Sequence, residues 1–315
     1  MTEMAIEARG LVKRYAEVTA VDGIDLQVPA GMIYAMLGPN GAGKTTTISM
    51  LTTLVRPTAG AGRVAGYDLL REAPQVRTRI GVTFQDIVLD NDLTGRQVLD
   101  IHGQLYRQPA DLRRKRIADL VDLVQLGDAI DRLVKTYSGG MKRRLELARG
   151  LMTDPAILFL DEPTQGLDPQ NRTGIWGYLR ELNRQRGLTV LLTTHYMEEA
   201  EALASQVGIV DHGKLVSQGQ PTELVAAMGA DVIRVRGHGD SAAFLNQVAG
   251  LPFVERVETD RASGHLSLYV DQGSRRLVEI IAANTNGYQI EDVTIARPTL
   301  ADVFLHHTGH ALRDE

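Results

Sequence analysis

The sequence predicts an α/β protein with a mainly parallel sheet, a helical insertion into that sheet, and a small C-terminal α+β domain of ferredoxin-like order. Three observations carry this. Short apolar runs recur between helical patterns. The strand pattern then stops from Asp86 to Thr153. After Met228 the order becomes strand, helix, strand, strand, helix, strand.

The runs "MIYAMLG" (Met32 to Gly38), "RIGVTF" (Arg79 to Phe84), "AILFLD" (Ala156 to Asp161), "TVLLTT" (Thr189 to Thr194) and "QVGIVD" (Gln206 to Asp211) are nearly continuous in apolar residues. Strands buried on both faces read this way, and strands alternating with helices imply a parallel sheet. "AIEARGLVKRY" and "GIDLQV" alternate more, as edge or antiparallel strands do. Within 86–153, Ile117, Leu120, Val121 and Val124 fall on one helical face, and Met141, Leu145, Ala148 and Met152 repeat the spacing. A boundary near "MGADV" (Met228 to Val232) separates 1–228 from 229–315. In the second part, strands at Val232–Arg236, Phe253–Thr259, His265–Val270 and Gln289–Ala296 enclose helices at Ser241–Val248 and Ser274–Asn284, a β-α-β-β-α-β order. A last helix covers Leu300 to His307.

With 315 residues the chain is long enough for one large domain or two. Its net charge of −5 gives no global attraction to nucleic acid. The basic run "LRRKRIADL" (Leu112 to Leu120) contains acids at helical spacing and reads as a solvated face. There is no cysteine, which excludes disulfides and thiolate metal sites and is compatible with a reducing compartment. The N-terminus "MTEMAIEARG" has no apolar core of a secretory signal, and no apolar run approaches the roughly 18 residues that cross a bilayer. Any membrane-spanning part is expected from another chain.

Chemistry concentrates in "GPNGAGKTT", which fits G-x-x-x-x-G-K-[ST] between a predicted strand and a predicted helix. Gly38, Pro39, Asn40, Gly41, Ala42 and Gly43 form the loop whose backbone N–H groups turn toward phosphate, and the helix N-terminus adds positive potential. Lys44 is expected to reach the β- and γ-phosphates, Thr45 to ligate Mg²⁺, and Thr46 to extend the cradle. "ILFLDEPT" (Ile157 to Thr164) buries a strand and delivers two acids at its C-terminal end, where open α/β sheets bind ligands. Asp161 is expected on Mg²⁺, and Glu162 as acceptor of the proton of an attacking water. These motifs fit an ATPase or a GTPase. A GTPase would read guanine with N-K-x-D, which is missing, and a small-molecule kinase leaves a second anion-type loop at Tyr137 to Gly150 unexplained.

Taken together, the P-loop, "TFQD" with Gln85, "YSGGM", "LFLDE", "GLDP" with Asp168 and "TTHYMEEAE" with His195 resemble the ATP-binding cassette family, the nucleotide-binding subunits of ABC transporters. The resemblance covers Ala5 to about Val225. It implies a head-to-tail homodimer in which Ser138, Gly139 and Gly140 cap the γ-phosphate of ATP held by the partner's P-loop. It further implies that Gln85 contacts Mg²⁺ and the water, His195 the γ-phosphate, Asp168 the dimer interface, and Tyr15 the adenine. Catalysis would rest on Glu162, His195, Gln85 and Lys44. The common signature is L-S-G-G-Q. Here Tyr137 and Met141 replace its first and last residues, and Met141 cannot hydrogen-bond as glutamine does.

"YSGGM" followed by a basic run is similar to cassettes of the daunorubicin-resistance type of drug exporter, and "ARPTLADVFLHHTG" (Ala296 to Gly309) to the closing segment of many exporter cassettes. A separate transmembrane permease, docked near "DIVLDNDLTG" after Gln85, and a cytoplasmic position on the inner face of the cell membrane follow from the resemblance. The alternative is a soluble cassette ATPase acting on ribosomes or DNA, though such relatives usually fuse two cassettes or carry a long coiled coil.

Overall fold

The computed structural model describes residues 3–228, 231–259, 265–270, 273–284 and 288–310. Of the boundary segment, Gly229 and Ala230 lie outside the described residues. The chain divides into two compact units, Met1–Leu215 and Val216–Glu315.

The first unit opens with β1 (Met4–Tyr15), β2 (Val18–Pro29) and β3 (Ile33–Leu37), followed by α1 (Lys44–Leu51), β4 (Ala59–Val64), β5 (Tyr67–Asp68), α2 (Ala73–Arg79) and β6 (Ile80–Thr83). Helices α3 (Gly95–Leu105), α4 (Ala110–Leu123) and α5 (Gly139–Leu151) interrupt the sheet before β7 (Ile157–Asp161). Then come α6 (Pro169–Arg186), β8 (Thr189–Thr194), α7 (Met197–Leu203), β9 (Gln206–Asp211) and β10 (Lys214–Gly219).

The five apolar runs are the parallel strands. The sheet order is β10-β9-β3-β8-β7-β6, with parallel pairing from β9 through β6. Every residue of β3, β7 and β8 is buried, which is why their sequences do not alternate. The second sheet, β2-β1-β4-β5, is antiparallel, as the alternation in β1 and β2 predicts. Ile6, Leu11, Ile24 and Leu26 from this sheet share one core with Met36, Phe159 and Leu191 of the other, and Ile48 and Leu51 of α1 fill it.

The helical insertion has strong local signals. Thr94 and Gln97 close a capping box at the start of α3. Ile117, Leu120, Val121 and Val124 are buried, as their spacing predicts. The basic run of α4 is consumed locally: Arg113 pairs with Asp100, Arg114 with Asp111 and Arg116 with Asp154.

The second unit holds α8 (Pro221–Ala226), β11 (Asp231–His238), α9 (Ser241–Ala249), β12 (Val254–Thr259), β13 (Leu266–Val270), α10 (Gly273–Ala282), β14 (Gln289–Ala296) and α11 (Leu300–Thr308). Its sheet order β12-β13-β11-β14, antiparallel throughout, is the ferredoxin-like arrangement. Compactness divides the chain earlier than the "MGADV" segment, inside β10, because α8 packs against α11. Phe244, Val248, Leu268 and Ile280 build a separate core.

One polar group anchors α11. Asp302 is buried, accepts two hydrogen bonds from Arg234 Nη2 (2.6 and 2.7 Å), and accepts two more from Thr299 N and Oγ1 (2.8 Å each). Asp302→Ala strands that guanidinium and removes the cap. It is expected to cost about 2–4 kcal/mol, seen as a lower urea midpoint. His306, on the same helix, lies with Nδ1 2.7 Å from Glu258 Oε1.

Candidate active site

Because β3, β8, β7 and β6 are parallel neighbours, their C-terminal ends share one edge. That edge receives Gly38 after β3, His195 after β8, Asp161 and Glu162 at the end of β7, and Gln85 after β6. Four stretches far apart in sequence therefore converge on one side of the sheet, where such folds bind ligands.

The loop Gly38–Gly43 turns the chain from β3 into α1. Gly43 caps the helix with φ 101°, and a Cβ there would meet the Ala20 carbonyl oxygen at 2.3 Å. This contact sets the β1–β2 end against the loop; Tyr15 pairs with Val18 at that end and is 44% exposed, with Lys13 Nζ 4.9 Å from its ring centre. Lys44 folds back over the loop and donates to the carbonyls of Gly38 (2.7 Å) and Pro39 (3.0 Å).

Two acids meet this cation differently. Thr45 Oγ1 donates to Asp161 Oδ1 at 3.1 Å, and Thr193 Oγ1 donates to the same oxygen. A hydroxyl and a carboxylate so placed form the oxygen-only donor set that suits Mg²⁺. Glu162 Oε1 lies 3.4 Å from Lys44 Nζ, and Oε2 lies 3.1 Å from His195 Nδ1 but outside hydrogen-bond geometry. Glu162 Oε2 is thus buried without a hydrogen-bond partner among the described residues.

Burial pushes the Glu162 carboxyl up, but His195 and Lys44 outweigh it and hold the group below the usual carboxylate range. Burial likewise pulls the Lys44 ammonium down, against Glu162 and Asp161. Glu162 also has a positive φ of 47°, held by its N–H donating to the Thr193 carbonyl and hydroxyl. A non-glycine residue in that region costs of order 1–3 kcal/mol.

Two predicted residues make no hydrogen bond or ion pair with these groups among the described residues. Gln85 is exposed just beyond β6. Asp168 caps α6 by accepting from Asn171 N at 3.0 Å, and the Asn171 hydrogen bonds hold its carboxyl below the usual range.

Ser138 caps α5, accepting from Met141 N at 3.3 Å. Ser138 and Gly139 are exposed, whereas Gly140 is buried against Asn171, whose Oδ1 would lie 2.7 Å from a Cβ. Among the described residues no hydrogen bond or ion pair joins Ser138–Gly140 to Gly38–Thr46 of the same chain. Tyr137, the departure from the common signature, is buried, and its hydroxyl donates to the Ala129 carbonyl at 2.6 Å. It fastens the loop from behind and leaves Ser138 outward.

Sequence reasoning missed three contributors. Thr193 grips both acids of β7. Glu199, buried in α7, accepts from Thr164 Oγ1 (2.8 Å) and Trp176 Nε1 (3.0 Å) and so ties the segment after His195 to the segment after Glu162. Arg143, in α5, is 3% exposed and carries a full guanidinium. A buried charge amid the apolar spacing of Met141, Leu145 and Ala148 was the available signal.

A phosphate loop, a paired-acid strand end and a histidine on one sheet edge, beside a separate serine-glycine helix start, define a P-loop nucleoside triphosphatase of the cassette type. The ABC transporter family model matches residues 21–165, and a model described as the DrrA1-3-like C-terminal domain of ATP-binding proteins matches residues 219–308. The chain is 44% identical over 314 residues to the daunorubicin/doxorubicin resistance ATP-binding protein DrrA of Streptomyces peucetius, covering 98% of this chain and 94% of that one. It is 41% identical over 312 residues to the Nod factor export ATP-binding protein I of Ralstonia nicotianae, covering 98% and 95%. Among solved structures, cbiO1 of Clostridium perfringens, part of an ABC transporter complex, superposes with a TM-score of 0.66 at 25% identity over 79% of this chain and 96% of that one. The dimeric post-hydrolysis structure of the ATP-binding cassette MJ0796 bound to ADP and phosphate has a TM-score of 0.62 at 24% identity over 68% of this chain and 98% of that one.

The chain belongs to the ABC transporter family, as an ATP-binding subunit that hydrolyses ATP. Its C-terminal unit is of the DrrA1-3 type. No helix among the described residues is long and apolar enough to cross a membrane.

Proposed function

We propose that this chain is the ATPase subunit of an exporter of drugs or other hydrophobic compounds. It works as a head-to-tail homodimer on a separate transmembrane permease, at the inner face of the cell membrane. The observation that carries the shared site is the outward Ser138–Gly139 loop, an anion-binding helix start without polar contact to its own P-loop. The substrate class rests on the names of the daunorubicin and doxorubicin resistance relatives.

The roles follow from position. Backbone N–H groups of Gly38–Thr46 cradle the phosphates, and Lys44 moves its charge onto the β- and γ-oxygens. Mg²⁺, held by Thr45, Asp161 and Gln85, would neutralise charge on the same phosphates. Glu162 takes a proton from water through Oε2, and His195 orients both water and γ-phosphate. Tyr15 stacks on adenine. Asp168 faces the partner across the interface. Phosphoryl transfer needs chiefly such positioning and charge balance.

Detergent purification from native membranes tests the exporter reading. A membrane-spanning polypeptide is expected to co-purify, and daunorubicin is expected to stimulate ATP hydrolysis by the complex. Recovery of an active chain with no spanning partner and no drug response would sink it.

A further inference from the structure

Arg143 lies on the second turn of α5, the helix capped by Ser138. Its guanidinium has five N–H donors, and five hydrogen bonds use them. Nε donates to the Pro163 carbonyl (2.7 Å). Nη1 donates to the Phe84 carbonyl (2.7 Å) and to Glu146 Oε2 (3.1 Å). Nη2 donates to the carbonyls of Asp161 (3.0 Å) and Glu162 (2.8 Å). The Phe84 carbonyl belongs to the peptide that begins Gln85. One side chain therefore holds the backbone of the candidate base and of the candidate water-contacting glutamine together.

Two more charges on the same helix face extend the grip. Glu146 Oε1 accepts from Val88 N at 3.2 Å, and Arg149 Nη1 donates to the Val88 carbonyl at 2.7 Å. The loop containing Gln85 is thus fastened to α5 on both sides. Glu162, with its left-handed backbone, is fixed from its N–H by Thr193 and from its carbonyl by Arg143. A buried guanidinium is expensive and is seldom favoured for stability alone. This one spends four of its five donors on backbone carbonyls around the two aimed groups and the fifth on Glu146.

We propose that Arg143 is a positioning residue for hydrolysis, locking Glu162 and Gln85 to the helix whose N-terminus grips a phosphate. This rests on the shared-site reading above. Phosphate of one ATP seats on Ser138–Gly140 and draws α5 with it; Arg143 carries that displacement to the base serving the other ATP. The two sites of a dimer are thereby coupled through a single side chain.

Full-length Arg143→Lys and Arg143→Gln test this, since lysine keeps the charge opposite Glu146 but cannot span four carbonyls. With Mg-ATP, both are expected to lose kcat by ~10- to 100-fold, the scale of an ångström-level misplacement. ATP affinity, read with a fluorescent ATP analogue, and ATP-driven dimerisation are expected to stay at wild-type values, while the Hill coefficient for ATP falls toward one. Should Arg143→Gln fail to fold, Arg143→Lys decides alone. Wild-type kcat and Hill coefficient in the lysine variant would overturn the proposal, and so would parallel losses of ATP affinity, melting temperature and kcat. A wild-type chain that never dimerises with ATP would instead count against the shared site itself.

Discussion

Glu162→Gln leaves ATP bound and stops turnover: phosphate release falls by ~10²- to 10⁴-fold, the contribution of a positioned general base. The amide keeps the shape of the carboxyl, so the left-handed backbone and the Thr193 contacts survive. It cannot take a proton from water at Oε2. It also releases Lys44 from its 3.4 Å ion pair, which leaves the ammonium wholly for phosphate. Binding is therefore expected to be undiminished or tighter. With the γ-phosphate uncleaved, the two chains stay joined, and light scattering with Mg-ATP reads a lasting dimer. Steady-state hydrolysis within tenfold of wild type would remove Glu162 from its role as base.

Mixing two dead proteins restores activity. Lys44→Ala lacks the phosphate cation, and Ser138→Arg blocks the outward clasp with a bulky charge. Each alone is expected to be inactive to within background. In the mixed dimer, the intact Lys44 of one chain meets the intact Ser138 of the other, and the second pocket is doubly defective. Random pairing makes half the dimers mixed with one working site each, so the mixture recovers up to about a quarter of wild-type activity. If Ser138 served its own chain, every site in the mixture would be defective and no activity would return. Full two-site activity would contradict the shared pocket equally.

How much of this was legible in the sequence follows the range of the interactions. The parallel strands were readable because burial on both faces writes itself into consecutive residues, as in Ile157–Asp161 and Thr189–Thr194. The P-loop was readable because its function needs adjacent residues. β4 was not read: "AGAGRV" is glycine-rich and largely exposed, and it is a strand because β1 and β5 pair with it. The charged face of α5 was also missed. Arg143 finds its acceptors at Phe84, Asp161, Glu162 and Pro163, and Arg149 at Val88, partners that only the folded chain brings near. Periodicity marked Leu145 and Ala148 as core, but it has no term for a cation buried among carbonyls.

The strained backbone at Glu162 bears on how such proteins age in evolution. Glycine would adopt that conformation without penalty, but it would leave the buried Lys44 ammonium without the carboxylate 3.4 Å away. Loss of the chemistry is therefore not one relaxed step: a duplicated copy freed from selection would have to give up the lysine along with the glutamate.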